Sequence, residues 1–322
     1  MSNPYVADVA VIGAGLTGLS FVAWLEDLAH RQGIRPPTVQ LVEPRPSYEH
    51  DRTWCFWEGT RHPFTEGIKH RWHHWQVGYR GSVVTAHART RPYALLPADA
   101  VYRLATACIE RTPEFQLHLG TQVEGIDARE ADLRVRTDAG PIRARSVIDT
   151  RPPTISDTTA RAGLWQVFHG IEIATPTDLF DPTTATLMDF DADPTDIRFT
   201  YVLPVGPRRA LVELTAFRRE PDGADLTRRL TERITARFGD QATRLREERG
   251  TLPMMPMAAP QRPDPRVITA GTAGGWMRPA SGYLFSACQR GAHQLARQAI
   301  AARASGNWRW RMRPDALTND IR

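Results

Sequence analysis

Asp8-Val9-Ala10-Val11-Ile12-Gly13-Ala14-Gly15-Leu16-Thr17-Gly18, continuing as Leu19-Ser20-Phe21-Val22-Ala23-Trp24-Leu25, reads as a strand, a glycine turn and a helix. The run before Gly13 is apolar and short, as a buried strand requires. The three glycines have separate tasks. Gly13 makes the tight turn, Gly15 lets a pyrophosphate approach the backbone, and Gly18 lets the helix pack closely on the strand. The helix then offers its free N-terminal N–H groups to the phosphates. A second run, Thr38-Val39-Gln40-Leu41-Val42, ends at Glu43, whose carboxylate is placed to accept a hydrogen bond from a ribose hydroxyl. A lone glycine motif is weak. Strand, motif, helix and acidic strand end in that order specify a dinucleotide site. Its place at the start of the chain, together with a distal glycine segment at 271–282, selects FAD over NAD.

Outward from this unit, the pattern predicts an α/β protein: a Rossmann-type FAD-binding flavoprotein fold with an antiparallel β-sheet substrate domain. Arg91-Pro92-Tyr93-Ala94-Leu95-Leu96 leads into a helical pattern at about 98–111. Alternating runs at 115–119, 121–126, 133–136 and 142–147 read as a β-meander, and 146–150 as a strand returning to the first sheet. Arg151-Pro152-Pro153 breaks the chain there. Strand patterns recur between 163 and 217, a charged helix is expected at about 224–248, and Val267-Ile268-Thr269-Ala270 returns to the first sheet before a helix at about 283–304. The FAD-binding domain is therefore expected to be discontinuous, over 1–60, 91–150 and 265–305. The substrate domain takes 61–90 and 151–264, and 306–322 is a tail.

The 322 residues, 41% hydrophobic and 24% charged, suffice for a large core in one domain or two joined ones. No apolar run reaches the roughly 18 residues of a membrane span. The N-terminus lacks the basic and apolar regions of a signal peptide, and Cys55, Cys108 and Cys288 form no disulfide framework, so a cytoplasmic location is expected. The net charge of +5 suits nucleic acid, anionic lipid or an acidic cofactor. No nucleic-acid-binding signature accompanies it, so a nucleic-acid partner is not expected. His73 and His74 have no third ligand at convincing spacing, and no metal is expected.

The distal segment Ala270-Gly271-Thr272-Ala273-Gly274-Gly275-Trp276-Met277-Arg278-Pro279-Ala280-Ser281-Gly282-Tyr283 carries Thr272 where flavin hydroxylases place an Asp. It resembles instead the glycine and Pro-x-Thr-Gly-Tyr pattern of lycopene cyclases of the bacterial beta-cyclase type. Arg52-Thr53-Trp54-Cys55-Phe56-Trp57 is similar to that family's His-Thr-Trp-x-Phe stretch, and His73-His74-Trp75 to its His-His-Trp. Met188-Asp189, Arg198-Phe199-x-Tyr201-x-Leu203-Pro204 and Leu211-Val212-Glu213-Leu214-Thr215 are similar to its central block, and Gly250-Thr251-Leu252-Pro253 to its Gly-x-Leu-Pro. The likeness runs over roughly residues 7–300. Leu214 departs from the family's second acidic residue. The chain also ends at Arg322, before a further helical region usual in the family, which leaves room for a smaller substrate, a partner chain or another pocket closure.

The resemblance implies an FAD-dependent, net non-redox cyclase forming a beta-ionone-type ring on a linear carotenoid or terpenoid. The FAD works reduced, with NAD(P)H as external reductant. FAD would be held by Gly13, Gly15, Gly18 and Glu43, and by Gly271, Gly274, Pro279 and Gly282. Ring formation needs a positioned acid. Glu213, in the apolar strand context Ala210-Leu211-Val212-Glu213-Leu214, is the candidate, because such surroundings raise a carboxyl pKa and keep it protonated. An exposed Glu alternating outward on a strand is the other reading of the same residues. Asp189 is the second candidate. Phe199, Tyr201, Trp276 and Tyr283 would line the substrate pocket, or simply pack in the core. A redox flavoprotein, monooxygenase or dehydrogenase, is the alternative from another class. A carotenoid-sized hydrocarbon must be met at a bilayer. The alternation Asn307-Trp308-Arg309-Trp310-Arg311-Met312-Arg313 therefore reads either as a peripheral contact with the inner face of the membrane or as a tail folded on the body.

Overall fold

The computed structural model describes residues 6–128, 131–156, 159–160, 163–193, 196–257, 260 and 262–312. At the centre of the first sheet lies β1 (Val6–Ile12), an apolar run buried on both faces, as parallel sheets demand. It pairs in parallel with β2 (Val39–Val42) on one side and β11 (Ile142–Asp149) on the other. β8 (Phe115–His118) extends the parallel set beyond β2, and β17 (Val267–Thr269) adds to β11. β9 (Val123–Asp127) and β10 (Leu133–Thr137) complete the sheet as an antiparallel pair on the first half of β11.

Three sequence expectations are corrected here. The charged helix expected at about 224–248 ends at Phe238, and Thr243–Met254 is a strand. The 115–119 run is not part of the meander. Helix α2 (Ala98–Arg111) carries the chain back across the sheet, so the next strand enters parallel to β2 at the far edge. The 142–147 and 146–150 runs are one strand, which pairs with β10 along its first half and β17 along its second.

α1 (Leu16–Gln32) ends at Gly33, whose left-handed conformation (φ 63°) lets its N–H return to the carbonyls of Ala29 and His30. The last helix, α4 (Phe285–Ser305), packs on α1, and Gly291 makes room for Trp276, whose ring carbons lie 2.5 Å from where a Cβ would stand.

The second sheet has the order β16-β12-β15-β14-β13-β5-β6: β16 (Thr243–Met254), β12 (Leu164–Ala174), β15 (Arg209–Arg218), β14 (Arg198–Gly206), β13 (Thr184–Phe190), β5 (His74–Tyr79) and β6 (Ser82–His87). It is antiparallel except where β13 meets β5. Helix α3 (Leu226–Phe238) lays Leu226, Leu230 and Ile234 on one face, against Val167, Ile171, Val212 and Leu214. The other face turns toward the first sheet. A three-stranded sheet of β3 (Thr53–Trp57), β7 (Tyr93–Pro97) and β4 (His70–Trp72) bridges the two.

The described part of the tail folds on the body. Trp308 and Trp310 are 7% and 8% exposed and join the main core cluster, with Met312 packed beside them. The backbone of residue 310 donates to the Pro265 carbonyl at 3.0 Å, and the Gln294 and Gln298 amides hold the Arg311 carbonyl. Alternation therefore turns the indoles inward. Arg313 and the residues after it lie outside the described residues. Emptying a buried aromatic site costs about 3–5 kcal/mol. Trp310→Ala should therefore lower Tm by several degrees, and a chain ending at Gly306 by more. An unchanged thermal midpoint in the shortened chain would show that the tail contributes nothing to the fold.

Candidate functional site

The glycine turn is closed on every side but one. Gly13 sits at φ +91°, and a Cβ there would lie 2.6 Å from the Thr150 hydroxyl, while one on Gly18 would lie 2.2 Å from the Gly13 carbonyl oxygen. A Cβ on Gly15 would meet nothing within 4 Å. α1 starts at this open position with no side-chain cap and no acidic residue in its first turn. The open side of the turn therefore faces uncapped N–H groups, as a pyrophosphate needs.

Glu43 is 4% exposed. Its Oε2 accepts the Ala14 N–H at 2.8 Å and its Oε1 the Arg45 Nε at 2.7 Å. Burial alone pushes this carboxyl upward, but Arg45 and the Ala14 N–H outweigh burial and hold it below the ordinary range. A carboxylate has about four acceptor sites, so a ribose hydroxyl can still be bound. The distal segment meets the same turn. Gly271 is at φ +69°, and a Cβ there would lie 2.7 Å from the Thr17 hydroxyl in the first turn of α1. These features together fit an FAD dinucleotide.

Beyond Gly271 a cavity of about 460 Å3 opens between this segment and the second sheet, lined by Thr272, Gly282 and Tyr283 on one side and Tyr201, Glu213 and Glu248 on the other. Cross-strand register explains the second wall. Tyr201 is opposite Glu213, Glu213 opposite Gly170, and Gly170 opposite Glu248, across four neighbouring strands. Residues directly opposite share a face. Gly170 keeps the middle of the row empty, since a Cβ there would lie 3.1 Å from Glu248 Cγ and 3.5 Å from Glu213 Cβ. Two carboxylates therefore look into one cavity from strands two apart, about 9–10 Å between backbones.

Their surroundings differ. Removal from water pushes Glu213 up to about 8, and the Glu248 charge adds to this, against a hydrogen bond from Thr215 and the more distant Arg246. That bond, Thr215 Oγ1 to Glu213 Oε1, is 2.8 Å. Glu248 is held by Arg246 at 2.5 Å and accepts from Thr53 Oγ1 at 2.8 Å. Arg246 also donates to Thr53 at 2.9 Å and reaches Glu172. The two acids are thus set apart, one toward the protonated form and the other in an ion pair, the pattern of a carboxyl kept as a proton donor.

Tyr201 and Tyr283 line the cavity, and burial drives both phenols upward, so they stay neutral. Asp189, Phe199 and Trp276 do not join them. A bulge between Thr186 and Asp189 shifts the strand's alternation, and Asp189 faces outward to Arg237 at 3.2 Å. Phe199 is 2% exposed and packs on Phe190 and Phe217. Trp276 is 3% exposed against α4. Gly274 supports the turn, its Cβ position 2.7 Å from the Thr269 carbonyl oxygen. Pro279 lies in the turn that Arg278 and Gly282 close with a 2.8 Å backbone bond.

Sequence reading passed over Glu248, Tyr93, Cys55 and Gly170. Tyr93 places its hydroxyl 3.3 Å from that of Tyr283, and burial raises the Cys55 thiol well above its ordinary value. Glu248 was hidden because the charged stretch to about 248 reads as helix, whereas Thr243–Met254 is a strand. The Leu214 departure loses its meaning. A strand alternates, so residue 214 faces α3 with Val212, and an acid there would never reach the cavity.

The family described as lycopene cyclase protein matches residues 8–320. No curated protein sequence matches the chain. Among solved structures, a geranylgeranyl bacteriochlorophyll reductase-like protein from Thermoplasma acidophilum is similar at 13% identity and a TM-score of 0.70, covering 97% of this chain and 81% of its own. The p-nitrophenol 4-monooxygenase PnpA from Pseudomonas putida is similar at 18% identity and 0.68, over 94% and 81%. A variant of the halogenase PltM in complex with FAD is similar at 12% identity and 0.64, over 95% and 71%. At these identities the likeness shows the Rossmann-type FAD-binding fold.

Gly15→Val should melt like the parent protein, since its side chain enters open space, yet purify with little or no flavin. Gly18→Val should lose the fold itself. A yellow Gly15→Val protein with one flavin per chain would remove the pyrophosphate from this turn.

Proposed function

This chain belongs to the lycopene cyclase family, and from that premise we propose that it is an FAD-dependent cyclase that closes a beta-ionone-type ring on a linear carotenoid or terpenoid without net redox change. The observation that carries the proposal is Glu213, a carboxyl raised to about 8 at the wall of a cavity whose other wall is the distal glycine segment.

Glu213 donates its proton to the terminal carbon–carbon double bond of the substrate. The tertiary cation so formed is attacked by the next alkene, which closes the ring. A ring proton then leaves, and the Glu213 carboxylate is the base that receives it. Atoms balance, and no electrons enter or leave. Gly13, Gly15, Gly18, Glu43 and the 271–282 segment would hold FAD, which, reduced by NAD(P)H, would supply an electron-rich ring system. Tyr201, Tyr93 and Tyr283 turn aromatic surface toward the same space, each worth about 0.5–2 kcal/mol to a nearby cation. Glu248, kept in its pair with Arg246, places negative charge across Gly170 from the donor. That charge opposes ionisation of Glu213 before substrate arrives.

Glu213→Gln keeps size and polarity but removes the proton. It should lower ring formation toward the upper end of the range of about 100- to 10,000-fold typical for a general acid. Because the donor must be protonated, the parent rate should hold at lower pH and fall as pH rises through about 8. Near-normal ring formation by the Gln variant with flavin bound would move the donor elsewhere.

Stoichiometry separates this reading from a redox flavoprotein. One anaerobic reduction of the bound flavin should support many rings, with no further NAD(P)H consumed. A one-to-one relation between NAD(P)H oxidised and product formed would establish the redox alternative.

A further inference from the structure

A second cavity, of about 350 Å3, lies behind the acid site and shares with it the wall made by Cys55, Tyr283, Leu284 and Phe285. Its character is different. Arg91, Arg278 and Arg290 reach it from three separate segments: the loop before β7, the turn after Gly274, and the second turn of α4. Arg290 donates to Thr60 Oγ1 at 3.1 Å. Arg91 and Arg278 have no side-chain hydrogen bond or ion pair among the described residues. Glu58, the carboxylate on this lining, is engaged by Arg71 at 2.9 Å. The N-terminus of α4, a helix of 21 residues, adds Ser286 and Ala287 to the same lining, with no side-chain cap and no acidic residue in its first turn. The Arg91 and Arg278 guanidinium groups and a positive helix end therefore converge on one space, beside Arg290, and the carboxylate that the described residues place on its lining, Glu58, is already paired with Arg71.

We propose that this cavity binds the diphosphate group of a phosphorylated ligand, through Arg91, Arg278 and the first turn of α4. A single carboxylate would satisfy one fork. A diphosphate carries several charges and enough oxygens for planar guanidinium forks from different directions, and arginine is the residue suited to that geometry. A ligand held there has its other end at the Cys55–Tyr283 wall, next to the Glu213 cavity. Two sources supply the chemistry: a nicotinamide dinucleotide, or a linear isoprenoid diphosphate. Any link to ring formation rests on the cyclase reading above, whereas diphosphate binding does not.

The test is calorimetric titration of the flavin-loaded protein with inorganic pyrophosphate. Arg91→Ala/Arg278→Ala should weaken binding by about tenfold or more, as loss of charged hydrogen bonds does, and Arg278→Lys by less. The exposed Arg134→Ala should leave affinity unchanged. Equal thermal midpoints and flavin content show that the double variant is folded. NADPH and geranylgeranyl diphosphate are then tested as competitors of pyrophosphate, beside geranylgeraniol, which lacks the charge. Competition by either phosphorylated compound, lost in the double variant, supports the proposal and names the source. No binding at millimolar pyrophosphate, equal affinity in parent and double variant, or competition by neither compound (an adventitious anion only) overturns it. Glu213→Gln should keep its diphosphate affinity, so failure of the cyclase reading and failure of this one are distinguishable.

Discussion

Two carboxylates facing one poorly hydrated space cannot both ionise cheaply, and the centre of this molecule is arranged around that constraint. Glu213 and Glu248 stand on either side of Gly170 in one cross-strand row. Arg246 neutralises one of them and is itself tied to Thr53 of the bridging sheet. The other is left in the cavity with one hydroxyl partner among the described residues, Thr215. Charge is thereby assigned before any ligand is present. The asymmetry depends on distance as much as on chemistry. A side chain at position 170 would fill the gap between the acids and force one of them aside.

The cavity exists because two distant pieces of chain meet at the first turn of α1. Gly271 approaches Thr17 more closely than a Cβ would permit, and just beyond this point Cys288 and Gln289 of α4 reach Thr17 and Ser20. The helix whose uncapped start fits a pyrophosphate is thus also the surface that positions the opposite wall of the Glu213 cavity. Trp276 locks the arrangement from behind by lying over Gly291. Close packing of this sort transmits small shifts. Bulk added at Gly271 would therefore disturb the acid site as well as the dinucleotide turn.

The strand–turn–helix unit, Glu43 at the second strand end and the discontinuous first sheet were legible in the chain. Each rests on local rules: short apolar runs for buried strands, and glycine where backbone must approach backbone. What local rules could not supply was register. Asp189 stood second to Glu213 in a linear reading, but a bulge turned it to Arg237. Leu214 looked like a lost acid, although its strand position faces α3. The alternating Trp-Arg tail has the same pattern whether its apolar side meets lipid or core. Only the exposed shelf along α4 and Pro265 determined that it meets the core.

The sequence by itself therefore determined the dinucleotide turn, because its glycines and strand ends act on neighbours a few residues away. Tertiary structure alone decided which acid is the partner of Glu213. Glu248 is 35 residues further along and enters the site only through β12 pairing on both edges at once. It alone decided, too, that Arg91, Arg278 and Arg290 share one cavity. The physical reason is common to both. Side chains far apart in the chain become neighbours through strand register and helix packing, and their charges interact only once water between them has been removed.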